Sequence, residues 1–203
     1  MEKQVTIPEF IDYLSSSSPT PGGGGVAALA GALSAALCSM VGNLTTGKKK
    51  YAEYQADIER IIAGSQAASK VMYDLIEKDA QCFEPLSRAY SLPKDNPDRD
   101  AILEDALKLA ASCPAQIMDE ALKIICLFEE LAVKGSRLAL SDVGVAATMC
   151  ESTLKSSLLN IMINTKLMKD REYAIKMNDE YIKKANDGIT KCQLIYNKVA
   201  EEL

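Results

Sequence analysis

Between Asp12 and Lys48 the chain carries no charged side chain. That stretch holds Ser18-Pro19-Thr20-Pro21-Gly22-Gly23-Gly24-Gly25-Val26, then an alanine-rich apolar run, and it gives way to Gly47-Lys48-Lys49-Lys50-Tyr51. Pro21 and the glycines end whatever precedes them and make a loop whose backbone can come close to another group. Residues 26–44 then read as a helix. Leu29, Leu33, Leu37 and Val41 recur every four residues on one side, while Ala27, Gly31, Ala35 and Ser39 recur on roughly the opposite side. A helix apolar all round is expected to be buried all round, and its small-residue face lets a neighbouring backbone pack close. Its purely apolar portion falls short of the roughly 20 residues that a bilayer demands. The expectation is therefore the central helix of a soluble protein, with no membrane role.

The rest of the chain is also helical in pattern. Thr6-Ile7-Pro8-Glu9 is a capping box with proline near the first turn, which predicts a short helix over residues 6–14. A third helix is predicted over about 51–90, with Val71, Met72, Leu75, Ile76, Phe83 and Leu86 as its apolar stripe and a kink at Pro85. Asn96 and Pro97 suit the N-cap and first position of a fourth helix that bends at Pro114 and stops at Gly135. A fifth runs from about Ser141 and Asp142 to Met168, and a charged sixth covers about 171–202. No segment alternates at period two. The predicted class is all-α, an up-and-down bundle of long helices around the buried Ala/Gly-rich helix. One domain, 1–203, is the simplest division, with oligomeric contacts available to complete its core.

Composition removes several functions. The chain has no histidine, and so lacks the commonest general base, every histidine-containing triad and most catalytic zinc sites. A net charge of −5, dispersed along the chain, gives no nucleic-acid footprint. The six cysteines form no Cys-x-x-Cys pair and fall within helical patterns, so neither a disulfide framework nor a zinc site is expected. With no secretory leader evident, the expected location is cytoplasmic.

A few residues break their helix's own pattern. Asp79 lies on the apolar stripe, three and four residues from Ile76 and Leu75 and four before Phe83. A carboxylate there must pair with a helix end or a lysine, shift its pKa, or take part in chemistry. Ser141-Asp142-Val143-Gly144 opens the fifth helix, as ordinary capping or as part of a site. Thr148, Ser152, Ser156, Asn160 and Asn164 form a polar row at four-residue spacing, suited to interhelical hydrogen bonds or to a polar heterocycle. Lys48, Lys49 and Lys50 either complement a helix C-terminus, with Gly47 as its cap, or bind a polyanion. The glycine run fits neither a dinucleotide fingerprint nor a P-loop. What remains is a tight turn, or a set of backbone N–H groups suited to negative charge.

Taken in order, Pro19-Thr20-Pro21-Gly22-Gly23-Gly24-Gly25-Val26-Ala27-Ala28, Gly47-Lys48-Lys49-Lys50-Tyr51, Asp79-Ala80 with Phe83, Leu92-Pro93-Lys94, Ser141-Asp142-Val143-Gly144-Val145-Ala146-Ala147 and Asn160-Ile161-Met162-Ile163-Asn164 resemble the cyclodeaminase/cyclohydrolase family of folate enzymes. The resemblance covers nearly the whole chain. It implies an all-helical homodimer with its active site near the subunit interface, no metal and no cofactor besides the folate substrate, which can be polyglutamylated. One branch of the family hydrolyses 5,10-methenyltetrahydrofolate to 10-formyltetrahydrofolate. The other cyclises 5-formimidoyltetrahydrofolate to the methenyl compound with loss of ammonia. A helical module that binds folate without turnover, or serves only as an interaction surface, is the non-enzymatic alternative. On this resemblance Asp79 is the expected acid/base and Asp142 its orienting or cation-stabilising partner. Ser141, Asn160, Asn164, Phe83 and Tyr51 would contact the substrate, Gly22, Gly23, Gly24 and Gly25 would line the cleft, and Lys48, Lys49 and Lys50 would hold the glutamate tail.

Overall fold

The structure is a computed structural model that describes residues 5–203. The described residues form six α-helices and no strand: α1 (Ile7–Leu14), α2 (Gly23–Asn43), α3 (Gln55–Tyr90), α4 (Arg99–Lys134), α5 (Leu140–Leu167) and α6 (Arg171–Glu201). Short 3₁₀ turns, Lys49–Tyr54 and Arg137–Ala139, lead into α3 and α5. The helix ends follow local chemistry. The Thr6 hydroxyl accepts from Glu9 N–H while the Glu9 carboxylate accepts from Thr6 N–H at 2.8 Å, closing the box on α1. Gly135 caps α4, donating to Leu131 O.

α3 runs through Pro85 to end at Tyr90 and α4 through Pro114 to end at Lys134, as the pattern in the sequence predicts. Other ends differ from it. α4 starts at Arg99, because Asn96 Oδ1 accepts from Asp98 N–H and holds residues 96–98 in a turn of their own. Gly47 is not a helix cap. Leu44 ends α2, and Gly47 sits further on with φ +74°, donating its N–H to Gln55 Oε1. That left-handed conformation is the reason a glycine occupies the position.

α2 packs against α3, α4 and α5. It runs antiparallel to α3, with Gly24 against Asp79, Gly31 against Met72 and Gly42 against Ile62. It also runs antiparallel to α5: Gly23 lies against the Asn160 amide, and Ser34 Oγ donates to Ala146 O at 2.8 Å. At the far end Thr45 Oγ1 accepts from Ser136 N–H at 2.8 Å. The absence of side-chain bulk on this face is what lets three helices approach the α2 backbone. Burial is not all round, however. Val26, Leu33 and Met40 stand exposed on the remaining face of α2, Leu33 at 45%. By length and apolar composition α2 could cross a membrane, yet most of it is enclosed by the bundle. α1 buries none of its residues. On the α3–α4 side, Arg60 pairs with Glu130 at 2.6 Å and Lys134 with Asp57 at 2.6 Å.

Candidate functional site

The four-glycine stretch is a helix start rather than a loop. Gly22 is the N-cap of α2, and Gly23, Gly24 and Gly25 form its first turn. A glycine N-cap has no side chain to satisfy the free N–H groups of that turn, and none is satisfied in that way here. The Gly25 N–H meets a carboxylate from another helix instead. Asp79 comes across from α3 and lies directly on Gly24, where an added Cβ would overlap its carboxyl carbon and both oxygens. No residue but glycine leaves that space. Pro21 and Ile76 close over Gly25, and Asn160 lies over Gly23.

Two influences compete at Asp79. Burial raises its pKa and is the larger; the Gly25 N–H lowers it by favouring the anion. The net effect is a carboxyl held above the ordinary aspartate range. A carboxyl shifted in that direction keeps its proton more readily than an exposed aspartate and is suited to acid/base work. Phe83, one turn on, packs against the core beneath it. Three members of the polar row on α5 bond back along their own helix, which leaves the ligand reading of the row open and gives the interhelical one no support. Asn160 donates to Ser156 O, Asn164 to Asn160 O and Thr148 to Gly144 O, each within α5 itself. These bonds fix the two asparagine side chains and occupy their NH₂ groups on one side.

The remaining predicted residues gather at the opposite end of α2. The Tyr51 hydroxyl accepts from Arg137 N–H at 3.1 Å, which ties the lysine-bearing turn to the start of α5. That hydrogen bond, helped by Ser136, Lys50 and Lys48, holds the Tyr51 phenol below its usual value. Lys50 Nζ lies 5.6 Å from the centre of the Tyr51 ring. Ser141 and Asp142 fall in the first turn of α5 beside this group, with Ala139 rather than either of them as the N-cap. Arg137 was not marked by any motif, and its proximity to Ser141 in the sequence was the only available signal.

One chain therefore brings together Asp79, Phe83, Asn160, Asn164 and the glycines at one end, and Lys48, Lys49, Lys50, Tyr51, Ser141 and Asp142 at the other. Asp142 and Asn160 are 18 residues apart on the same helix, so about 27 Å separates them along its axis. Within one chain Asp142 does not reach the atoms that Asp79 reaches. A surface cavity of about 450 Å³ lies elsewhere, lined from α3, α4 and α6 by residues including Lys78, Gln116, Asp119, Tyr173 and Lys176. Among the described residues, no three acidic, cysteine or histidine side chains converge as a metal cage.

A family model described as formiminotransferase-cyclodeaminase matches residues 6–183. A methenyltetrahydrofolate cyclohydrolase of Methylorubrum extorquens is 41% identical over 178 residues, 86% of this chain and 86% of that protein. A formimidoyltransferase-cyclodeaminase of Sus scrofa is 30% identical over 194 residues, which are 94% of this chain and 36% of that longer protein. The crystal structure of a formiminotetrahydrofolate cyclodeaminase from Thermotoga maritima superposes with a TM-score of 0.85 at 30% identity, covering 98% of this chain and 96% of that one.

Proposed function

The chain belongs to the formiminotransferase-cyclodeaminase family, and from that premise we propose that it hydrolyses 5,10-methenyltetrahydrofolate to 10-formyltetrahydrofolate. The observation that carries this reading is Asp79, half-buried and held above the ordinary aspartate range against the first turn of α2. The substrate is a cation whose bridge carbon is already electrophilic, so the chemistry asks for a base, an acid and negative charge. Asp79 takes a proton from water as its oxygen bonds to the bridge carbon, giving a neutral tetrahedral adduct. It then returns that proton to N5 as the carbon–N5 bond breaks. The adduct hydroxyl loses its proton to solvent, leaving the formyl group on N10. The steps consume one water and release one proton, with no metal or second cofactor. Asn160 and Asn164 offer amide oxygens to the pterin. A cytoplasmic location fits six unpaired cysteines, five of them buried.

The second reading, cyclisation of 5-formimidoyltetrahydrofolate with loss of ammonia, draws on the whole-length likeness to the Thermotoga maritima cyclodeaminase. The same carboxyl would protonate the departing amine. The two readings separate in the absorbance of the methenyl chromophore. Purified protein is expected to bleach 5,10-methenyltetrahydrofolate above the buffer rate. Growth of the chromophore from the formimidoyl compound, with ammonia released, would establish the cyclodeaminase instead. No change with either would leave a binding module.

The functional unit in this reading is a homodimer. Val26, Leu33 and Met40 repeat at seven residues on the open face of α2, with Leu33 at the midpoint of the helix. On α5, Val145, Leu159 and Ile163 are exposed as well. A two-fold pairing of α2 with its copy, antiparallel, sets Leu33 on Leu33 and Val26 on Met40. It also lays the Lys48–Asp142 end of one chain beside the Asp79 end of the other. Each site then draws its acid/base from one chain and its cations, Tyr51 and Asp142 from the second. Mixing inactive Asp79→Asn and Asp142→Asn chains should restore about a quarter of wild-type turnover: half of the dimers are mixed and each has one intact site of two. A mixture as dead as its components would show that sites are not shared.

A further inference from the structure

α1 has no place in the fold of one chain. It is an eight-residue helix with a complete capping box, none of its residues is buried, and Ile7, Phe10, Ile11 and Leu14 line one side of it. Ile7 is 64% exposed and Ile11 56%. Isolated helices below about 12–15 residues are marginal in water, and in proteins most helical stability comes from covering an amphipathic face. A cap alone does not make such a helix persist.

We propose that α1 is an exchanged arm that docks on a second copy of this chain, at the end of its bundle that carries Leu44, Val133 and Leu138. This rests on the two-fold pairing described above. Three observations select that occupant. The target end is apolar and uncovered, with Leu138 93% exposed beside half-exposed Leu44 and Val133. The charges match: α1 carries Asp12 and no cation, while the target end carries Lys48, Lys49 and Lys50, none of which has an ion pair among the described residues. The position also matches. α1 leads into the glycine turn at the start of α2, and antiparallel pairing puts that start beside the partner's α2 end.

In this arrangement the arm covers the seam where the two half-sites meet. Its Asp12 carboxylate joins a group of three cations and leaves the others for the carboxylates of the substrate. Within one chain Leu138 is at the far end of α2, about 31 Å along its axis from the α1 junction, so the arm does not meet it in cis.

The test uses chains carrying Cys126→Ser, which removes the exposed thiol. Ile11→Cys with Leu138→Cys, mildly oxidised, is expected to give a covalent dimer on a non-reducing gel that neither single substitution gives. Leu33→Cys serves as a separate report of the two-fold pairing, by linking to its own copy. If Leu33→Cys links the chains and the Ile11–Leu138 pair does not, the arm proposal is overturned and the dimer stands. If neither links and sedimentation finds monomers, both fall. A second measurement avoids engineered cysteines: Ile7→Asp with Ile11→Asp should weaken self-association at least about tenfold, with a loss of helical circular dichroism no larger than the eight residues of α1, since α1 buries nothing in its own bundle. Unchanged association would count against the arm.

Discussion

Asp79→Asn is expected to lower the turnover of 5,10-methenyltetrahydrofolate by about 10²–10⁴-fold, the range for loss of a positioned acid/base. Asparagine keeps the size of the side chain and its contact with Gly24 while losing the proton, so binding should change far less than kcat. Stability should move the other way. A carboxyl whose pKa is raised by folding holds more protons in the native state than in the unfolded one. Its ionisation therefore costs the fold stability as pH rises from the ordinary aspartate value of 3.8 through the raised native value. The asparagine variant has no such loss. Above that window its melting temperature should exceed that of wild type, and between pH 4 and neutrality its melting profile should be flatter. A variant with wild-type rates would remove Asp79 from the chemistry. One that is dead but also less stable at neutral pH would make the carboxylate a structural cap of α2.

Gly24→Ala should be nearly as damaging although it removes nothing. The new methyl group overlaps the whole Asp79 carboxyl group. Asp79 is short and its backbone belongs to a packed helix, so the collision must swing the carboxyl away or spread α2 from α3. Displacement of a reacting group by about 1 Å costs on the order of 10²-fold in rate. Helix propensity partly offsets the strain, alanine being favoured over glycine by up to about 1 kcal/mol. The expected variant is folded and slow. Gly31→Ala is the matched control. Its methyl group meets Met72 Cε and Sδ at 2.8 Å, the flexible end of a thioether that can turn aside. Equal losses in both variants would mean that general spreading of the helices, and not the acid at Gly24, sets the rate.

Much of this was readable in advance, and the reasons differ by residue. Helix ends set by local chemistry were legible: the box at Thr6 and Glu9 and the stop at Gly135 depend on residues a few positions apart. Asp79 was visible because a carboxylate on an apolar stripe has few explanations. The chain start of α2 was placed at Val26, three residues late, since glycine's poor propensity hides a first turn that exists to leave room for Asp79. The asparagine row was legible as a row, but not in its bonding, because a side chain bonding back four residues and one bonding across to another helix have the same spacing. Least legible was distance. Motifs in a linear list say nothing of which end of a helix they occupy, and Asp142 reads as a neighbour of Asp79 until antiparallel packing sets them apart. The bare face of α2 was equally hidden, since a residue that faces a partner and one that faces the core are both apolar.

The small-residue face of α2 also inverts the usual sensitivity of a core. Most interiors are injured by truncation, which leaves voids around the lost methyl groups. Ala27, Ala28 and Ala35 are wholly enclosed and have almost nothing to lose, while Gly42 already lies where one more carbon would press on Ile62 Cγ1 at 2.6 Å. Here damage comes from growth. The segment tolerates few of the substitutions a hydrophobic core normally absorbs, so its apparent simplicity, a run of alanine and glycine, is the narrowest specification in the chain.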